Sequence, residues 1–303
     1  MLNKVKVIYI AGCGRSGSTL IDRVLGQFPE IISLGELNKI WNYGFIQNRK
    51  CSCGEPFLEC QFWQKVYEKM KDEVSSKDIN ELARLGKKFY YYSDQNGFKF
   101  PPNLKHKIIA LYRAIQEVSG EQIIIDSSKN ALYAKILRTI PEIDLTVIHL
   151  VRDSRAVAYS LMRKKLLIPA EKSYMDQLLS WQSAIHWNQY NIFTELFKIA
   201  NRRKFLPLLR YEDFVKNPEE ILEQVRSFVG LETNQTDSNF LEGKNVYLDQ
   251  GHNISGNPMR FVNGEIEIAL DQEWKKKLKR TDKFLVTLLT FPLLLKYGYI
   301  AGK

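Results

Sequence analysis

The sequence predicts an α/β protein: a mainly parallel sheet flanked by helices, with a mostly helical insertion. Three observations predict it. Short apolar runs alternate with helix-patterned segments along the chain. A glycine-rich turn, GCGRSGSTL at residues 12–20, directly follows the first apolar run. Polar residues gather where the predicted strands end, and open α/β sheets bind ligands along that edge.

The first strand is predicted over residues 5–10, and a helix opens at Ser18 and runs to about residue 28. Residues 31–34 are a short apolar stretch, read as a second strand ending at Gly35-Glu36. Residues 38–118 are polar, aromatic and helical in pattern, an insertion over the sheet on the acceptor side, with a loop at 93–103. A buried strand at 123–125 ends at Asp126-Ser127-Ser128-Lys129, and a helix follows from 131 to about 139. The strand at 145–151 ends at Arg152-Asp153, with a helix from Ser154. A long helix is expected over 175–200, a strand over 205–209 ending at residues 210–213, and a helix over 218–229. Residues 232–264 are loop-rich, the tail is helical, and the chain reads as a single domain, 1–303.

The net charge of +10 suits a polyanionic partner. No Lys/Arg run is long enough for a nucleic-acid arm, so no nucleic acid is expected; WKKKLKR at 274–280 reads as a solvated helix face. The first apolar run belongs to the strand before the glycine turn, so no signal peptide is expected and a cytoplasmic location is. Cys13, Cys51, Cys53 and Cys60 then read as thiols. The apolar tail at 284–295 is too short to span a bilayer and contains Pro292. A buried C-terminal helix is the preferred reading, and membrane association through it stays open.

The turn chemistry is that of a phosphate cradle. Backbone N–H groups at a helix N-terminus face an anion, and the helix dipole favours negative charge there. The usual nucleotide version ends G-K-[ST]. Here Ser18 follows Gly17, so that lysine is missing, while Arg15 supplies a cation earlier in the loop. A second anion signal is HLVRDSRAVAYS at 149–160, where Arg152 leaves a strand and Ser160 lies on the next helix.

Together, GRSGSTL and LVRDSRAVAYS resemble the 5′-phosphosulfate and 3′-phosphate loops of sulfotransferases. DSSK at 126–129, LRYEDF at 209–214 and GHNISGNPMR at 251–260 extend the resemblance over nearly the whole chain. It implies the P-loop-like sulfotransferase fold and transfer of a sulfuryl group from 3′-phosphoadenosine 5′-phosphosulfate to an acceptor hydroxyl. A small-molecule or glycan acceptor is expected, with a carbohydrate or glycolipid first. A peptide tyrosine is the alternative, and a P-loop small-molecule kinase the rival chemistry. No Walker B carboxylate is visible, and no metal is expected.

Carried over by resemblance, Gly14, Ser16, Gly17, Ser18 and Thr19 cradle the phosphosulfate, and Arg15 pairs with its oxygens and with charge developing on transfer. Arg152 and Ser160 hold the 3′-phosphate, Tyr211 lies near the adenine, and Asn257 and Arg260 contribute from the late loop. Glu36 resembles the catalytic base of tyrosylprotein sulfotransferases, with partial burial expected to raise its pKa; His252 is the rival base. Lys129 resembles the lysine near the leaving oxygen, and Asp126 orients its loop.

Two features are left over. Cys51, Cys53 and Cys60 bind zinc only if a fourth ligand comes from elsewhere; a packed loop or redox pair is the preferred reading. Trp181 and Trp187 read as core, with one of them open to facing the acceptor cleft.

Overall fold

The computed structural model describes residues 4–88, 100–163, 166–168, 173–174, 177–231 and 239–300. Strand β1 (Val5–Gly12) feeds helix α1 (Ser18–Leu25), followed by β2 (Ile31–Ser33). A 3-10 turn at Leu37–Lys39 and a π-helix at Ile40–Ile46 lead to α2 (Gln61–Met70), α3 (Ser76–Lys88) and α4 (Pro102–Ser119). Next come β3 (Ile123–Lys129), α5 (Ala131–Arg138), β4 (Ile143–Val151) and α6 (Ser154–Met162). A small pair, β5 (Leu166–Ile168) and β6 (Ser173–Tyr174), precedes α7 (Ser180–Ala200). Then follow β7 (Leu209–Arg210), α8 (Tyr211–Lys216), α9 (Pro218–Phe228), β8 (Leu241–Glu242), β9 (Asn245–Leu248), β10 (Gly264–Glu267), α10 (Glu273–Lys277) and α11 (Arg280–Lys296).

The main sheet has order β2-β3-β1-β4-β7, and every pairing is parallel. Connections leave β1 toward β2 and β3 on one side and toward β4 on the other. The crevice of such a sheet therefore opens at the C-terminal end of β1, where the glycine turn sits. Side-chain alternation divides the core. Val5, Val7, Tyr9 and Ala11 of β1 face α4, α5 and the layer that contains α2 and α3. Ile8 and Ile10 face α1, α8, α9 and β9.

Several boundaries differ from the sequence reading, each for a local reason. Residues 126–129, expected as a turn, continue β3, because Asp126 and Lys129 still pair with β1 across a bulge. Only Leu209 and Arg210 form a strand where 205–209 was expected; Phe205 makes one isolated bridge to Val147. Residues 211–216 turn at once into α8 rather than a loop. The loop-rich stretch holds β8 and β9, which join β10 in an antiparallel three-stranded sheet. Helix α7 begins at Ser180, not 175. Most of the loop expected at 93–103 lies outside the described residues, and Pro102 already begins α4. Helix α4 packs on β1 and β3. It is the crossover into β3 that a parallel sheet needs, not part of an added cap.

Candidate active site

The glycine turn is built from positive backbone angles at Gly12, Arg15 and Gly17 (φ 131°, 69° and 91°). Gly17 caps α1, and a Cβ there would lie 2.3 Å from the Tyr211 ring. Glycine is thus required, and Tyr211 roofs the turn. Among the described residues nothing lies within 4 Å of a Cβ built on Gly14, so they leave the turn open on that side. Ser16 Oγ is buried with no hydrogen-bond partner among the described residues. Ser18 is buried in the first turn of α1, and Thr19 Oγ1 accepts the Asn257 N–H at 3.2 Å. An open N-terminal turn with an unsatisfied buried hydroxyl fits an anion. Cys13 is no nucleophile here: burial pushes its thiol up to about 12.

Arg152 emerges from β4 over the Tyr211 ring, 4.6 Å from its centroid. It donates to the carbonyls of Arg15 (3.2 Å) and Asp271 (3.3 Å), and its Nε is buried without a partner. Arg15 Nε donates to Ser160 Oγ at 3.1 Å. The backbone of Arg15 is in the glycine turn while its side chain reaches Ser160, so this residue connects the turn with α6. Burial, then the nearby charges of Arg163 and Arg152, lower Arg15 to about 10. Asp271 answers Arg152 (3.5 Å) and Arg163 (3.7 Å) at the rim, and Glu273 answers Arg163 (2.9 Å). Crowded arginines of this kind favour a multiply charged anion, which relieves their mutual repulsion.

The late loop completes this wall. Asn257 accepts the Met259 N–H at 3.3 Å and caps a 3-10 turn at Pro258–Phe261, while Arg260 donates to the Gly256 carbonyl at 3.1 Å. The loop is held to α1 by a residue that sequence reasoning missed. Arg23, buried, donates to the carbonyls of Met259 (3.0 Å), Asp249 (2.6 Å) and Val262, and to Asn263 Oδ1 (3.1 Å).

Glu36 and Lys129 meet at the ends of β2 and β3. Glu36 Oε1 pairs with Lys129 Nζ at 2.8 Å and Oε2 with Lys39 Nζ at 2.6 Å. Gly35 (φ 78°) places Glu36 against the late loop; a Cβ there would lie 2.6 Å from the Ser255 carbonyl oxygen. The expectation of a raised Glu36 pKa is overturned. Burial does push it upward, but Lys129 and Lys39 together outweigh burial and hold it at about 2. Lys129 is itself strained, with φ 69°, and donates to the Ser127 carbonyl at 2.9 Å. Burial pulls its pKa down, against the charge of Glu36.

Asp126 accepts from Tyr112 Oη (2.6 Å), Ser128 N–H (2.9 Å) and Leu37 N–H (3.3 Å), so it orients the segments before Lys129 and after Glu36. A second missed residue is Asp22 of α1, fully buried, which accepts from Ser33 Oγ and Ser127 Oγ, both at 2.6 Å. It ties α1 to the ends of β2 and β3. The only sequence signal for this clamp was a charged Asp-Arg pair inside an apolar helix, LIDRVL.

Neither His149 nor the rival base His252 turns toward Glu36. His149 is fully buried, with Nε2 3.0 Å from Asn191 Oδ1. His252 turns Nδ1 to the sulfurs of Cys60 (3.3 Å) and Cys51 (3.8 Å). Trp187 is core and donates to the Arg152 carbonyl at 3.0 Å, whereas Trp181 is exposed on α7.

The sheet order, with a glycine turn at the C-terminal end of its central strand, defines a class, that of P-loop-like α/β folds. Among families, the sulfotransferase family matches residues 8–235, and the chain belongs to it. Two solved structures resemble it over nearly their full lengths. The sulfotransferase domain of the Synechococcus PCC 7002 olefin synthase is 19% identical with a TM-score of 0.58, covering 98% of this chain and 96% of that one. The sulfotransferase domain from the curacin biosynthetic pathway is 19% identical with a TM-score of 0.51, covering 94% and 97%. These likenesses show the fold. No curated protein matches the chain in sequence.

Proposed function

We propose that this protein moves a sulfuryl group from 3′-phosphoadenosine 5′-phosphosulfate to the hydroxyl of a carbohydrate or glycolipid. The observation that carries this reading is one strand edge bearing two devices: an arginine-lined cradle and a buried Glu36–Lys129 pair. Gly14, Ser16, Gly17, Ser18 and Thr19 would hold the 5′-phosphosulfate. Arg152, Ser160, Asn257 and Arg260 would hold the 3′-phosphate, and Tyr211 would support the base. The donor supplies an activated sulfuryl group whose transfer leaves 3′-phosphoadenosine 5′-phosphate.

In this scheme Glu36 takes the acceptor proton as the new S–O bond forms. Lys129 stabilises charge on the leaving phosphate oxygen as the old S–O bond breaks, and Arg15 stabilises the sulfuryl oxygens. With both lysines on it, Glu36 is too weak a base. A shift of Lys129 toward the leaving oxygen removes the larger cationic support and raises the basicity of Glu36. One movement thus arms both ends of the displacement. A peptide tyrosine is the second acceptor reading, favoured by this same pair. Ser18 in place of a phosphate-binding lysine weighs against a kinase.

Two features support a glycan or glycolipid. A cavity of about 280 Å³ within the insertion is walled by Phe45, Ile46, Leu58 and Tyr67. Helices α7 and α11 pack together and expose Leu196, Ile199, Phe284, Leu288, Phe291 and Leu295. Lys275–Lys277, Lys283 and Lys296 flank these residues, a pattern suited to an anionic membrane surface. No described helix is long and apolar enough to cross a membrane. Much of the insertion's aromatic content is nevertheless core, with Trp41, Phe57 and Trp63 buried.

The test is a thermal-shift titration with 3′-phosphoadenosine 5′-phosphate against ATP–Mg²⁺, followed by mass spectrometry of glycan, glycolipid and peptide acceptors incubated with the sulfated donor. Stabilisation by the bisphosphate and a sulfated glycan or glycolipid are expected. Stabilisation by ATP–Mg²⁺ alone would sink the reading. Flotation with anionic vesicles tests the membrane contact: recovery of the protein only in the pellet rejects it.

A further inference from the structure

Four potential metal-binding side chains that the transfer chemistry does not use come together in space. Cys51 and Cys53 lie in a tight turn in which Cys51 N–H donates to the Glu55 carbonyl (2.8 Å) and Gly54 N–H to the Cys51 carbonyl (2.9 Å). Cys60 caps the N-terminus of α2. His252 arrives from the late loop, about two hundred residues away in sequence. Their ligand atoms all lie within 4.8 Å of one another. Cys53 and Cys60 sulfurs are 3.6 Å apart, and His252 Nδ1 is 3.3 Å from Cys60 Sγ and 3.8 Å from Cys51 Sγ.

A tetrahedron with zinc–sulfur bonds of about 2.3 Å and a zinc–nitrogen bond of about 2.0 Å has S–S edges of about 3.8 Å and S–N edges of about 3.5 Å. These three edges fall within a few tenths of an ångström of those values. The histidine is also held by an outer layer. Its ring stacks on Phe62 at 4.8 Å and 7°, and its carbonyl accepts Trp63 Nε1–H at 3.0 Å. Gln250 Nε2 donates to the Cys53 carbonyl at 3.1 Å.

We propose that Cys51, Cys53, Cys60 and His252 form a closed structural zinc site that staples the insertion to the late loop. This replaces the packed-loop or redox-pair reading of the cysteines. It also departs from the expectation of no metal, although the zinc lies outside the anion cradle. Four protein ligands leave zinc no open position for substrate, which marks the site as structural. The staple acts on the loop next to the transfer site. Directly after His252, Asn253 N–H donates to Ser52 Oγ (2.8 Å), and Asn253 Nδ2 to Ser33 Oγ (3.0 Å). Ile254 N–H then donates to the Leu34 carbonyl (3.3 Å), beside Gly35 and Glu36. Zinc at Cys51 and His252 holds this register, and with it the approach to Asn257 and Arg260.

The decisive experiment is metal analysis of the full chain purified under reductant. One zinc per chain is expected, released by an organomercurial thiol reagent and detected with a chromophoric chelator. Cobalt(II) added to the zinc-depleted chain is expected to give the visible bands of tetrahedral thiolate coordination. His252→Ala is expected to weaken zinc at least tenfold and His252→Cys to retain it, a difference that a purely packing role would not produce. Zinc depletion is expected to lower the melting temperature. None of these readouts uses sulfuryl transfer, so failure here is distinct from failure of the proposed activity. If His252→Ala or His252→Cys does not fold, the cobalt titration of the unaltered chain decides alone. No zinc uptake under reductant, octahedral cobalt, or a Cys53–Cys60 disulfide in the intact mass would overturn the assignment.

Discussion

Replacing Lys129 with Met removes one charge while keeping the buried stem, so it isolates what that cation does to Glu36. The carboxylate is buried, which alone would raise its pKa above the ordinary 4.5, yet it is held at about 2. The net fall of about 2.5 corresponds to roughly 3.4 kcal/mol in favour of the charged form. The two lysines must supply all of that and also offset burial. Lys129 is the stronger of the two. Its loss therefore removes more than about 1.7 kcal/mol, raising the proton affinity of Glu36 more than about tenfold. The assay is a ¹³C-carboxyl NMR titration, with the Glu36 resonance identified by its absence in Glu36→Gln. In Lys129→Met that resonance should titrate at least about one pH unit higher than in the unaltered protein. Sulfuryl transfer at neutral pH should fall about 10²–10³-fold, the usual cost of losing one donor aimed at developing charge. An unchanged Glu36 titration would refute the pairing, and a rate within tenfold would refute the leaving-group role.

Three further outcomes follow from the same geometry. Gly17→Ala should cost about 1–3 kcal/mol by denaturant unfolding, because its φ of 91° and the Tyr211 ring both exclude a Cβ, and stabilisation by the bisphosphate should disappear. Arg152→Ala should weaken binding of 3′-phosphoadenosine 5′-phosphate about ten- to a hundredfold by calorimetry, since it removes a charged donor with a free Nε. Burial raises Asp22 from 3.8 to about 6. The unfolded chain then releases this proton first, so Asp22 stabilises the fold fully below about pH 4, and that stability is lost as pH rises to about 6, on the order of 3 kcal/mol. Asp22→Asn should flatten the unfolding free energy across that window; an unchanged slope would count against the buried clamp.

The glycine turn was legible in the sequence because its parts are neighbours: a strand end, three glycines, an arginine and a helix start within nine residues. Arg152 and Ser160, which the structure brings to Arg15, stood out in the sequence as a strand end and the helix after it. The Glu36 charge state was not. Burial was readable from the apolar run before it, but the Lys129 contact joins two strand ends 93 residues apart. The late sheet was missed because its strands are short, of two to four residues, and are specified by pairing rather than by pattern.

By itself, then, the sequence determined the alternation of strands and helices and the glycine turn at the end of the first strand. Each depends on backbone geometry and side-chain periodicity over a few residues. Only the tertiary structure decided that Glu36 is a doubly paired carboxylate, that Asp22 and Arg23 brace the cradle, and that His252 joins three distant cysteines. Those properties come from desolvation and charge between groups that touch only after the chain has folded, and no local pattern encodes them.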